Sequence, residues 1–294
     1  MGVLGGNHQK WLYLVFLALI WGSSFILIKK ALLGLTALQV GGLRVVLAAL
    51  TLLFIGFRSL RKLSGNDWKW LALAGLLSSF FPPFLFALAQ TELDSGITAI
   101  FNATTPLLTT IVGIALFGAL IAKRQIIGVV VGLIGVVALI LTGMELVPDQ
   151  HYGYAIFILL SALGYALNIN IIKTKLAHLG PLAITTASFA VAVVPSFFLV
   201  LYSGFFQRIA ERPEAVTAFW YVLILAIVGT ALANIYFNRL IKVSSPVFAA
   251  SVTYLIPVVA IFWGVLDGEA INGYQLLGGS IILCGVWLVN RKKT

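Results

Sequence analysis

The sequence predicts an all-α membrane protein: ten transmembrane helices in two inverted-topology five-helix repeats around a central cavity. Three observations carry that prediction. The chain of 294 residues is 61% hydrophobic and only 10% charged, with a mean hydropathy of +1.08, outside the range of soluble globular domains. It divides into apolar stretches long enough for a hydrocarbon core of roughly 30 Å, which needs about 20 residues per helix. A pattern in its first half also recurs in its second.

The predicted spans lie near residues 11–28, 37–57, 70–90, 97–117 and 126–143, then 153–172, 181–203, 218–238, 246–266 and 274–290. The first follows Lys10 and runs without an A-x-A cleavage site to Lys29 and Lys30, so it is expected to be a retained helix. It carries an odd polar patch, "WGSSF", whose Trp21 and Ser24 share one helix face. Gly22 and Ser23 are expected to leave room for a neighbouring helix. The second span holds Arg44, the one charge well inside a span. It is either structural, snorkelling or bonding to backbone carbonyls, or a contact for a substrate carboxylate. The third is broken by Pro82 and Pro83, with Phe80 and Phe84 beside them, and the fourth is striped by Thr98, Asn102, Thr105 and Thr109 around Pro106. Proline removes a backbone hydrogen bond, and in a bilayer the freed carbonyls need a neighbouring helix or a wet cavity. The fifth has Gly128 and Gly132 at GxxxG-like spacing, suited to close packing.

In the second half, Tyr165 and Asn168 share a face of the sixth span, whereas Asn170 lies about 200° round the helix from Asn168. Pro195 interrupts the seventh. Asn234 and Asn238 stripe the eighth, Ser251 and Tyr254 pair on the ninth ahead of Pro257, and Cys284 lies in the tenth. A lone cysteine excludes an intrachain disulfide or a thiolate metal site. Each polar group could instead be interhelical glue worth about 0.6 kcal/mol.

Orientation follows from the basic residues. With both termini cytoplasmic, Lys10, Arg58, Arg61, Lys62, Lys69, Lys123, Arg124, Lys173, Lys175, Arg239, Lys242, Arg291, Lys292 and Lys293 are inside, 14 of 19. Lys29 and Lys30 oppose the trend and read as snorkelling anchors at the outer face. Eight of the nine acidic residues fall outside on the same scheme. The net charge of +10 is thus a topology signal, and nucleic-acid binding is not expected.

The repeat aligns Pro106 with Pro257, then Gln125 with Gln275, Gly128 with Gly278 and Gly135 with Gly285. The offset is 151 residues at the prolines and 150 afterwards, so the slip falls in the turn. An offset of 144 sets Trp21 and Ser24 against Tyr165 and Asn168, and Thr253 falls at the repeat position of Asn102. Five spans per half is an odd number, so the second copy enters the membrane the opposite way up, an arrangement typical of secondary transporters.

"ALIWGSSFILIKKAL" with "GGLRVVLAAL", "TTPLLTTIVGIALFG" with "QIIGVVVGLIGVVAL", and "YLIPVVAIFWGVLDGEAINGYQLLGGSIILCGVWL" resemble the two halves of an EamA-type member of the drug/metabolite transporter superfamily. The resemblance covers nearly the whole chain, with residues 11–143 as one EamA-like repeat and 153–290 as the other. It implies ten helices, a central cavity, and movement of small metabolites by alternating access. One departure is visible. The second half has Gly268 and Glu269 at a turn where the first reads "GALIAKRQ", without a glutamate. Glu269 is therefore expected to do little beyond closing its turn.

The absences narrow the substrate. No Asp or Glu lies mid-span, and His8, His151 and His178 are in termini or loops. Proton-coupled antiport of lipophilic cations, as in the related small multidrug resistance proteins, needs a buried carboxylate. Phosphorylated substrates need several cavity cations. A cavity of Asn, Ser, Thr and aromatic groups with at most one cation suits a neutral or zwitterionic metabolite, an amino acid foremost and then a nucleoside. Phe80, Phe84, Tyr165, Tyr236 and Tyr254 are expected to supply apolar contact for its side chain.

The expected substrate-binding set is Trp21, Ser24, Arg44, Phe80, Asn102, Tyr165, Asn168, Asn234, Asn238 and Tyr254, with no metal and no cofactor. The expected setting is a plasma or inner membrane, the lipid bilayer around a monomer or weak homodimer, with transport by facilitated diffusion or export. A multidrug carrier and a substrate-selective channel are the competing classes. An enzyme is not expected, because no base and nucleophile pair within a span.

Overall fold

In a computed structural model, residues 6–119, 123–146 and 150–290 are described. Among them there is no strand, and ten principal helices follow the chain. In the first half these are α1 (Gly6–Leu32), α2 (Ala37–Leu60), α3 (Gly65–Ala89), α4 (Ser95–Phe117) and α5 (Lys123–Leu146). In the second they are α6 (Tyr152–Lys175), α7 (Pro181–Tyr202), α8 (Pro213–Val243), α9 (Pro246–Leu266) and α10 (Gly273–Asn290). A short helix, Phe205–Glu211, bridges α7 and α8.

Eight of these segments are long and apolar enough to cross a membrane, and the apolar stretches of α5 and α10 are shorter, Ile126–Ala138 and Gly273–Gly285. Large apolar side chains face outward along the bundle, Phe54 at 93% exposure among them. That is costly in water and favourable in lipid. The chain is a multi-pass membrane protein.

The helices pack across the halves. α5 lies along α10, and α2 along α7. α1 touches α8 and α9, while α6 touches α3 and α4. Exchanging the halves maps this set of pairings onto itself. Glycine makes the α5–α10 seam close. A Cβ on Gly135 would lie 2.8 Å from Ile282 N, and one on Gly285 would overlap Gly132 N and lie 2.6 Å from Gly128 O. The contact of 135 with 282 becomes that of 285 with 132 under the 150-residue offset. Gly22 likewise admits Val259 and the Ile256 carbonyl of α9 against α1. The side chain of Gln125, aligned with Gln275 in the sequence, lies outside the described residues, as do Arg291, Lys292 and Lys293.

Four helices are interrupted, in matched places. α3 widens into a π-helical turn at Leu76–Phe80 and α8 at Ile227–Leu232, 151 residues on. α4 breaks at Ala103 and Thr104, just ahead of Pro106, and α9 passes through a 3-10 turn, Ser251–Tyr254, ahead of Pro257. In α3 the cause is Pro82 and Pro83, which cannot donate backwards and whose rings would strike the preceding turn. α8 has no proline there. Thr230 Oγ1 instead donates to Leu225 O at 2.9 Å, and Asn234 Nδ2 to Thr230 O at 2.8 Å. Pro195 sits inside an unbroken α7.

Candidate substrate site

The interruptions face one cavity of about 80 Å³, where the two halves meet. From the predicted set, Trp21, Ser24, Arg44, Asn102, Tyr165, Asn168 and Asn234 line it. Trp21 and Ser24 come from α1 and Tyr165 and Asn168 from α6, so the two faces matched by the 144-residue offset converge. Asn102 and Thr253, matched by the 151-residue offset, both line it as well.

Three predicted residues lie elsewhere. Phe80 ends the π turn of α3 with its ring against Phe81 and Phe84. Asn238 is buried, its Nδ2 donating to Thr185 Oγ1 of α7 at 2.7 Å. Tyr254 ends the 3-10 turn of α9 and packs on the main hydrophobic core. Asn170 points to α4, donating to Thr109 O at 3.2 Å. Ser78, Phe86, Thr230 and Phe237 were not expected from the sequence, yet they line the cavity. Thr230 could have been found, because it stands one turn before Asn234.

The polar lining divides into satisfied and unsatisfied groups. Trp21 Nε1 donates to Gly229 O at 3.0 Å, meeting a carbonyl within the π turn of α8. Arg44 is buried and its Nε donates to Thr230 Oγ1 at 2.7 Å. No carboxylate pairs with it, and the rest of its guanidinium has no hydrogen-bond partner among the described residues. Tyr165 lines the same cavity. One turn on, Asn168 Oδ1 is buried without a hydrogen-bond partner. Phe25, Phe86, Phe189 and Phe237 supply the apolar wall.

One end of α1 is tied to the other half by charge. Lys29 Nζ lies 3.0 Å from both Asp267 and Glu269, and Lys30 pairs with Asp267. Glu269 is almost wholly buried and also accepts from Ser95 N at 3.1 Å, Ser95 Oγ at 2.6 Å and Gly96 N at 3.1 Å. A carboxylate there meets both free amides and the positive end of the helix dipole of α4. Two expectations are corrected here. Lys29 and Lys30 are ion-paired rather than simple anchors, and Glu269 does more than close a turn. At the same end, Asp94 N and side chain meet Gln150, just before α6. Thus α1 ends where α6 begins. At the far end of α6, Lys173 caps α8, donating to Ile241 O at 3.2 Å and Ser244 O at 2.6 Å.

The comparisons with known proteins agree with this architecture. The EamA-like transporter family matches residues 9–141 and again 153–291. An uncharacterized transporter of Archaeoglobus fulgidus is 29% identical over 98% of this chain and 99% of its own. The uncharacterized inner membrane transporter YedA of Escherichia coli K12 is 28% identical, covering 94% and 89%. A protein of Salmonella typhimurium named as a probable amino-acid metabolite efflux pump is 26% identical, covering 93% of each chain. A crystal structure with 16% identity superposes over 96% of this chain and 97% of its own at a TM-score of 0.64, a likeness of fold. With the family matched over both halves, the chain belongs to the EamA-like transporter family.

Proposed function

We propose that this transporter moves a small neutral or zwitterionic metabolite, an amino acid foremost, across the cell membrane by alternating access between two inverted five-helix halves, both termini being cytoplasmic. The observation that carries the reading is the cavity itself. It lies between the halves, its polar lining is hydroxyl, amide and indole groups with one cation, and no carboxylate is among its described lining residues. Such a site offers hydrogen bonds to a zwitterion and little to a lipophilic cation. The relative named as a probable amino-acid metabolite efflux pump supports the same substrate class.

The inverted arrangement is supported by the self-mapping helix pairs and by α1 ending where α6 begins. Interrupted helices around a cavity between the halves are the expected hinge and binding elements of such a carrier. The cluster of Lys29, Lys30, Asp267 and Glu269 closes the outer end and must part for the cavity to open there. Transport then runs down the substrate's own gradient.

Counterflow in proteoliposomes tests this. Purified protein should accelerate uptake of labelled leucine or phenylalanine when unlabelled amino acid is inside, with saturation, and uptake should not need an imposed pH gradient. Signal from lipophilic cations alone would overturn the substrate class. Unsaturable flux without acceleration would favour a channel.

A further inference from the structure

We propose that Arg44 and Asn168 form a two-point anchor for the α-carboxylate and α-ammonium of an amino acid, so that the carrier requires a free carboxylate on its substrate. The inference rests on the amino-acid reading above and goes beyond it by assigning the two charged ends to named groups.

Arg44 carries the argument. The residue is buried, at 8% exposure, and among the described residues its guanidinium spends only Nε on the protein, through Thr230. An intramembrane cation that neither snorkels nor meets an acid is expensive to keep. The purely structural alternative would have its remaining donors on backbone carbonyls or a carboxylate, and among the described residues they are on neither. Arg44 lines the cavity, where a planar fork of donors matches a carboxylate in bidentate fashion.

Asn168 supplies the complement. It is 6% exposed, lines the same cavity and leaves its Oδ1 without a donor. An unmet buried acceptor costs about 1–3 kcal/mol, and an ammonium group meets it. Tyr165 lines the cavity with both and stands one turn before Asn168 on α6. Arg44 belongs to the first half and Asn168 to the second, so a ligand spanning both bridges the halves. Its side chain then faces the wall of Phe25, Phe86, Phe189 and Phe237, which favours apolar side chains.

The test compares four probes of one shape on unmodified protein: L-leucine, L-leucinamide, 3-methylbutylamine and 4-methylpentanoate. Competition against labelled leucine counterflow gives the readout. Leucinamide and 3-methylbutylamine, which lack the carboxylate, should compete at least tenfold more weakly than leucine. 4-Methylpentanoate, which keeps the carboxylate, should compete better than either. Arg44→Gln should abolish that discrimination and Arg44→Lys should restore part of it, with KM raised more than maximal flux is lowered. Asn168→Leu should weaken leucine more than 4-methylpentanoate.

If leucinamide competes as well as leucine, the anchor is wrong although amino-acid transport stands, and this arm does not depend on any variant folding. If neither leucine nor phenylalanine is transported, the amino-acid reading itself falls and the anchor with it. If Arg44→Gln lowers only the yield of folded protein while the survivors still discriminate fourfold or more, Arg44 is structural and the proposal is overturned.

Discussion

The turn after α4 and the turn after α9 share a backbone and differ in what they hold. Each contains a left-handed glycine, Gly118 at φ 65° and Gly268 at φ 86°, a conformation that suits glycine because it lacks a Cβ. In each, the next amide reaches back to a matched glycine carbonyl, Ala119 to Gly113 O at 2.9 Å and Glu269 to Gly264 O at 2.8 Å. Because Ala119 closes the turn unaided, Glu269 is not there to close it. The repeat supplies the scaffold, and the departure from it marks where one end has acquired a charged tie. The lysines show the same contrast. Lys29 and Lys173 correspond at an offset of 144, yet one meets two carboxylates and the other backbone carbonyls.

The largest effect should come from breaking that asymmetry. Glu269→Leu leaves Lys29 with Asp267 alone and strands the two amides at the start of α4. A buried pair broken from one side costs 3–5 kcal/mol, discounted here to roughly 2–4 kcal/mol because Lys29 is partly exposed. The matched change Ala119→Leu, on an exposed side chain, should stay within about 0.5 kcal/mol. Thermal unfolding of both variants in one detergent measures the difference, and equal losses would mean that the charged tie contributes nothing.

The α5–α10 seam should behave oppositely, because there the halves are alike. Gly135→Val and Gly285→Val each drive a side chain into the partner's backbone, and overpacking of that kind costs about 1–3 kcal/mol. Similar falls in unfolding midpoint are expected for the two. A harmless change on one side only would show that the seam is less symmetric than the contacts at Ile282 and Gly132 indicate.

The facing aromatics of α1 and α6 split again. Trp21 donates to the freed carbonyl of Gly229, so Trp21→Phe should cost about 1–2 kcal/mol. Tyr165 has no such protein bond among the described residues, and Tyr165→Phe should leave stability within about 0.5 kcal/mol while lowering leucine flux. Flux that fell equally with equal loss of stability would assign both to packing.

These contrasts show how far the sequence was legible. Polar residues three apart on a helix declare a shared face, so the periodicity of the chain is enough to place Trp21 with Ser24 and Tyr165 with Asn168. Prolines likewise announced the break in α3. The π turn of α8 could not be read, because Gly229 and Thr230 are ordinary residues whose effect depends on Trp21 and Arg44 arriving from other helices. Asn238 shares a face with Asn234, but its amide is taken by Thr185, a partner that only the fold brings near. Charge counting found Lys29 and Lys30 anomalous without showing why, since their acids lie some 240 residues away.

The smallest expected effect is on pH dependence, and it sharpens the role of the charged end. Asp267 lies in the α9–α10 turn, where hydrogen bonds from Lys30 and then Lys29 hold its carboxyl below the usual value of 3.8. A depressed value means the ion pair stabilises this conformation above the ordinary carboxylate range and is lost only as pH falls through the lower value. Asp94 is shifted the other way, raised by burial and then by the charge of Glu269. On the alternating access proposed above, it binds its proton more tightly in this conformation than in one where that end is open, and acid then favours closure. Flux should therefore be nearly flat well above the carboxylate range, then decline modestly on acidification as Asp94 takes up its proton above its ordinary value, before the Asp267 pairs fail below theirs. Asp94→Asn should remove the first decline and leave the second. A profile unchanged by that substitution would detach Asp94 from the gate, while a steep rise in flux on mild acidification would show that acid loosens this end rather than closing it.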